Sequence, residues 1–350
     1  MNRTTDLEHG IVSADTTDSR SGTVKTNRQM ELFGVLDASR REEDRYSNTI
    51  EIYDALPKYV WKQADYSDMR SLTRECKIRG QTISMRMQPA IVERNGKEVQ
   101  LYPGAREELV EDALRRLAVG GNGVFIGGGA GVAFTLYELR KELSRMGHTF
   151  SLNEIKEAIE VSTATHIKCS THDGKGVVNS TLFGFSTLST REDLAQNGRG
   201  AKCYVQFNPL VTESILNMTY RQYNYQLGME IRSSLARFFF KRLAQYWLQA
   251  DETSPYTFGL MSFLSQSPKE ISPLMKNNLK AMRRALDVLV KHEVLSRYDE
   301  NKVMEGKQKV IDAKYDIWAH PNFVKDVIKS NKRAKNQLEL LELKHEKTIT

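Results

Sequence analysis

The residues best suited to do chemistry lie between 273 and 291. Met275, Leu279, Met282, Leu286 and Val290 recur at helical spacing and form one apolar side. Lys276, Lys280, Arg283, Arg284 and Lys291 fall mostly on the other side, interrupted only by Asp287. Asn277 and Asn278 stand near the amino end, where recognition helices touch base edges. Such a helix buries one face and offers a band of positive charge to the DNA major groove. There arginine reads guanine through two hydrogen bonds, and lysine neutralises phosphate. An amphipathic helix with a merely solvated basic face shows the same pattern, so the surrounding elements must decide.

Lesser constellations accompany it. Lys302, Lys307 and Lys309 surround the polar loop Asp299–Gln308, which suits a hairpin tip lying on a DNA backbone or simply in water. Lys168, Lys175, Arg191 and Arg199 are scattered through an earlier strand-rich stretch. The tail from Lys325 to Lys335 adds further positive charge, either for backbone contacts or for solvation.

Catalytic signals are weak. His166, Cys169 and His172 are spaced by three, like metal ligands, but on a strand the middle residue faces away from the other two. Structural zinc also wants four ligands. The glycine run Gly120–Gly131 lacks the Gly-Lys-Ser/Thr ending of a phosphate loop and reads as a flexible loop. Tyr220, Tyr223 and Tyr225 have no His-apolar-His motif beside them, as a nicking enzyme would require. The expectation is a binding protein with no catalytic residues, metal or cofactor.

Positioning a recognition helix takes a helix-turn-helix. The chain offers the required order twice. Ala105–Val119 reads as a helix, a short strand enters a second helix near Val132–Met146, and a capping box at Ser151–Glu154 opens a third. Strand-like runs follow at Thr165–Ser170, Val177–Thr187 and Lys202–Phe207. The order recurs with a long helix over Met229–Gln249, a strand and short helix over Pro255–Leu264, the basic helix, and strands at Val294–Tyr298 and Lys309–Trp318. Helix, strand, helix, helix and β-ribbon make a winged helix-turn-helix.

The fold class expected is therefore α+β, with two tandem winged-helix domains at 104–212 and 213–320. Residues 1–28 are expected to form a disordered lead, 29–103 an extension with a hairpin over 82–102, and 321–350 a charged helical tail. The hairpin signal is alternation in Thr82–Met87 and Glu98–Tyr102 around Asn95-Gly96. In the first domain the third helix carries Glu154, Glu157 and Glu160, which phosphate would repel, so DNA contact there falls to wing residues such as Lys168 and Lys175.

Net charge is +7, which fits a polyanionic partner. Three widely separated cysteines make no disulfide framework and fit a reducing cytosol. No stretch has the length and apolarity of a signal peptide or a membrane span.

Residues 207–247 resemble the plasmid replication initiators with two winged-helix domains. The likeness is carried by Phe207-Asn-Pro-Leu, Ile215-Leu216, Tyr220-Arg-Gln-Tyr223 and Ser233–Leu243, with an Arg242-Leu243 pair near the end of that helix. Phe134–Leu139 resembles the first domain of the broad-host-range plasmid initiators, and the likeness spans roughly residues 105–318. It implies a cytoplasmic bacterial protein that binds direct repeats of double-stranded DNA (iterons) at a plasmid origin. Such proteins help open an AT-rich region, recruit the host initiator and replicative helicase, and exchange between monomer and dimer. A winged-helix repressor on an inverted repeat is the alternative, and a nucleic-acid enzyme a weaker one.

Overall fold

The computed structural model describes residues 45–61, 70–78, 80–94, 96–172, 176–190, 196–217 and 219–349. The lead at 1–28 and the strip at 29–44 lie outside the described residues.

The chain enters through β1 (Tyr46–Ile50) and a helical turn, α1 (Glu51–Asp54), then lays down β2 (Leu72–Ile78) and β3 (Gln81–Gln88). The expected hairpin over 82–102 is divided at Pro89. Its turn is where the sequence puts it, with Gly96 at φ 73°, but the arms are β4 (Ala90–Arg94) and β5 (Lys97–Leu101). β3 belongs elsewhere and pairs antiparallel with β2 and with β8 (His166–Thr171). Proline has no N–H to continue a ladder, so the run 82–94 breaks there into two strands of different sheets.

The first winged-helix unit follows. α2 (Ala105–Leu117) starts where Glu107 accepts the Gly104 N–H at 2.7 Å. The glycine run is not a loop. It folds into a hairpin of β6 (Gly123–Ile126) and β7 (Gly129–Thr135). Its turn residues Gly127 and Gly128 sit at φ 58° and 81°, the left-handed pair that a two-residue hairpin turn demands. α3 (Leu136–Arg145) and α4 (Leu152–Ala164) both open on capping boxes, Thr135 with Glu138 and Ser151 with Glu154. β8 and β9 (Val177–Thr181) form the wing, and β2 and β3 widen it into a sheet of order β2-β3-β8-β9. A second sheet, β10-β11-β7-β6, contains β10 (Phe183–Thr187) and β11 (Lys202–Phe207).

A connecting helix, α5 (Pro209–Leu216), leads to β12 (Tyr220–Asn224), which pairs antiparallel with β1, Tyr46 against Asn224. The long helix expected over 229–249 is two: α6 (Tyr225–Glu230) and α7 (Ser234–Tyr246), the second capped by the Ser233 hydroxyl on the Ala236 N–H. The first ends at its C-cap, Ile231, and the Ser233 cap starts the second. β13 (Tyr256–Gly259), α8 (Leu260–Ser265), α9 (Met275–Lys291), β14 (Leu295–Glu305) and β15 (Lys309–Ala319) complete the second unit, with sheet order β13-β15-β14. α10 (Pro321–Ile349) covers the charged tail.

Aromatic packing sets the second unit's core. Phe239 of α7 meets Phe263 of α8 at 4.4 Å between ring centroids, and Phe258 of β13 stacks on Tyr315 of β15 at 5.4 Å. Ala313, Tyr315, Ile317 and Ala319 alternate inward along β15, the period of a half-buried strand.

The two units are joined through a buried polar network. α2 lies between the N-terminal segment and α7, so even its charged residues are covered. Arg237 of α7, 1 % exposed, donates to both Glu108 oxygens at 3.3 and 3.0 Å. Lys241 reaches Glu108 and Asp112, and the Trp61 indole N–H also donates to Glu108 at 3.2 Å. Arg115 bridges Asp54 at 2.8 Å and Glu111 at 2.6 Å, while Tyr53 and Tyr59 donate to Glu111. A charged group this deeply buried is tolerated only when paired. Burial alone would raise the Glu108 carboxyl, but Arg237 and Lys241 overcome it and hold it at about 2.

Candidate nucleic-acid interface

The second unit presents its third helix, α9, outward. Leu279, Met282, Ala285, Leu286 and Leu289 are buried, whereas Lys276, Asn277, Lys280, Arg283, Arg284, Asp287 and Lys291 are exposed. Residues three and four apart share a helix face, so these polar side chains form one continuous strip.

The turn into the helix is pinned by Asn278, which is 1 % exposed. Its side-chain N–H donates to the Ser272 carbonyl at 2.8 Å and its oxygen accepts the Ser272 N–H at 2.9 Å. Asn278 is thus a structural residue and is not available to a base edge. Asn277, its neighbour, is exposed and makes one weaker bond to the Ser272 hydroxyl, 3.2 Å.

The wing is braced against the helix. Arg283 gives two hydrogen bonds to Glu300 of β14, at 2.7 and 2.6 Å. Tyr315 donates to the same carboxylate at 2.7 Å. Those bonds hold Glu300 below the usual carboxylate range. One turn on, Tyr298 donates to Asp287 at 2.7 Å; burial and then this bond push its hydroxyl up to about 12. Asp287, the one acid within the basic strip, and Glu300 of the wing therefore both tie the helix to the wing. Among the described residues, Lys276, Lys280, Arg284 and Lys291 have no ion-pair partner, so their charge faces outward.

Each strand of the wing has eleven residues, about 36 Å at the usual rise, and residues 301–309 are exposed throughout. Lys302 and Lys307 project from this ribbon, and Lys309 pairs with Glu305 across the tip.

The first unit is built differently. Its third helix, α4, is packed along both flanks. The β4–β5 hairpin lies along it, with Val161 packed among Ala90, Val92 and Leu101. Glu157 takes two hydrogen bonds from Arg94 of the hairpin, 2.7 and 2.6 Å, and one from Arg106, 2.6 Å. On the other flank Thr163 reaches Ser186 of β10 and Lys156 reaches the Ser189 carbonyl. The strip that α4 leaves exposed between these flanks, Asn153, Glu154 and Glu160, carries two acids that a phosphate would repel. Lys168 is exposed on β8. Lys175 and Arg191 lie outside the described residues, as does the side chain of Arg199. His166 is half-buried and Cys169 is buried on the opposite face of β8.

Element order and pairing define a mixed α+β protein of two winged-helix units. No family model matches the chain, and no curated protein sequence matches it. Solved structures that resemble it include domains 2 and 3 of RctB, at 12% identity and a TM-score of 0.48, covering 75% of this chain and 95% of that one. A second structure of RctB domains 2–3 covers 77% and 97% at 12% identity, with a TM-score of 0.46. The Pi initiator protein in complex with iteron DNA covers 67% and 98% at 9% identity, with a TM-score of 0.41. No helix among the described residues is long and apolar enough to cross a membrane.

Proposed function

We propose that the chain is a replication initiator of a plasmid, binding direct repeats of double-stranded DNA through its second winged-helix unit. One observation carries the reading: the third helix of that unit exposes Lys276, Asn277, Lys280, Arg284 and Lys291 on a single strip, with Arg283 held to the wing. The helix enters the major groove, and Lys302, Lys307 and Lys309 of the wing follow the adjoining backbone. The first unit, whose third helix exposes acids, positions the second and contacts DNA through its sheet, where Lys168 lies; Lys175 is proposed as a further contact. Opening of an AT-rich segment, recruitment of the host initiator and replicative helicase, exchange between monomer and dimer, and action in the bacterial cytoplasm complete the proposal. No step requires catalysis, a metal or a cofactor.

The test is a footprint of the purified full chain on the DNA flanking its own gene, titrated with salt. Protection of evenly spaced direct repeats supports the initiator. Protection of one inverted repeat alone replaces it with a repressor, and no protection at any salt refutes DNA binding.

A further inference from the structure

We propose that the outer face of the β2-β3-β8-β9 sheet is a second contact surface for the DNA phosphodiester backbone, centred on Arg86 and Lys168. The inference deepens the DNA-binding reading above and rests on it. The inner face of this sheet is apolar: Met85, Met87 and Ile167 are fully buried. Alternation therefore turns Arg86 and Lys168 outward, and both are exposed.

The register places these two cations directly opposite each other on adjacent strands. Like charges in that position repel and destabilise a sheet. Neither has an ion-pair partner among the described residues. Arg86 gives its Nε–H to the Ser71 hydroxyl at 2.9 Å, leaving the rest of the guanidinium without a described partner. An anion spanning both side chains relieves the repulsion, as a phosphate does. Next to Lys168 in the same row is Asn179, and next to Arg86 is Thr73, so hydrogen-bonding groups flank the pair. Glu75 is the one carboxylate that the described residues place on this face.

Position adds a second argument. The β2 edge meets the helix-turn-helix of the second unit, where the Lys77 backbone N–H donates to the Gln266 side chain at 3.2 Å, just past α8. The first unit, whose third helix exposes acids, thus offers a polar sheet beside the second unit's helix-turn-helix. On the proposed reading, a duplex held by α9 lays its backbone across this sheet.

Binding to a fluorescent 40-base-pair duplex of mixed sequence, titrated with salt, tests this. Each phosphate contact contributes about 0.9 to the slope of log affinity against log salt. Arg86→Gln with Lys168→Gln is expected to lower the slope by about 1.8 and weaken binding at least tenfold, with an unfolding midpoint unchanged or raised because repulsion is removed. Glu75→Gln is expected to tighten binding. A double variant with the wild-type slope and affinity overturns the proposal. If Lys280→Gln with Arg284→Gln also leaves binding unchanged, the parent reading fails, not this surface alone.

Discussion

Arg283 of the third helix and Glu300 of the wing's first strand are joined by two hydrogen bonds of 2.7 and 2.6 Å, the geometry of a bidentate guanidinium–carboxylate pair. The relationship removes one arginine from the basic strip and uses it to hold the wing. Arg283→Gln is therefore expected to change the salt slope of DNA binding by less than half of what Arg284→Gln does, about 0.9. Glu300→Gln removes a negative charge and loosens the guanidinium, and is expected to tighten non-specific binding. Fluorescence anisotropy with a labelled duplex measures both.

The two asparagines at the start of α9 separate cleanly. Asn278→Ala leaves the Ser272 N–H and carbonyl without partners beneath the turn. It is expected to cost about 1–3 kcal/mol of stability, read from denaturant unfolding. Asn277 is exposed, so Asn277→Ala is expected to stay within about 0.5 kcal/mol of the parent while weakening DNA binding.

Breaking the buried network tests how the units are joined. Glu108→Gln leaves Arg237 buried without its counter-charge, and a cost of about 3–5 kcal/mol is expected. The pH dependence has a definite sign. Glu108 is held at about 2 in the folded chain against an ordinary 4.5. A carboxyl depressed by folding adds stability that is complete above its unfolded value and lost as pH falls through its folded one. Burial raises Asp54, but Arg115 and Lys58 outweigh it and hold it low in the same direction. Stability is expected to fall between about pH 4.5 and 2, offset in part by Asp112, which burial holds above its ordinary value, and less steeply in Glu108→Gln. Thermal unfolding across that range measures it.

The third helix of the first unit makes a contrasting case. Glu157→Gln weakens the bonds to Arg94 and Arg106 and is expected to speed trypsin cleavage in the β4–β5 hairpin. Because the proposal assigns α4 no DNA contact, the same variant is expected to keep the wild-type salt slope.

The second unit was legible because its signals are local. Helical spacing of Met275, Leu279, Met282 and Leu286 and the basic strip between them survive in the structure almost residue for residue. Asn278 misled because burial of an amide depends on where the preceding turn folds back. The fate of Pro89 was half legible: proline marks a break, but which sheet Gln81–Gln88 joins depends on a partner strand some eighty residues away. The hairpin in the glycine run was missed because Gly127-Gly128 is as good a turn as it is a loop. Nor does any local pattern announce that β4–β5 will cover α4, though the acidic face of α4 was a trace of it. The Glu108–Arg237 pair joins residues 129 apart in sequence, and spacing alone could not connect them.

The central claim is that α9 binds duplex DNA through its exposed cations. The most direct measurement compares the full chain with the variant Lys276→Gln, Lys280→Gln, Arg284→Gln, titrating duplex affinity against salt. A fall of about 2.7 in the slope, with the unfolding midpoint retained, is the expected result. A variant that binds with the wild-type slope and affinity would contradict it and move the DNA surface elsewhere on the molecule.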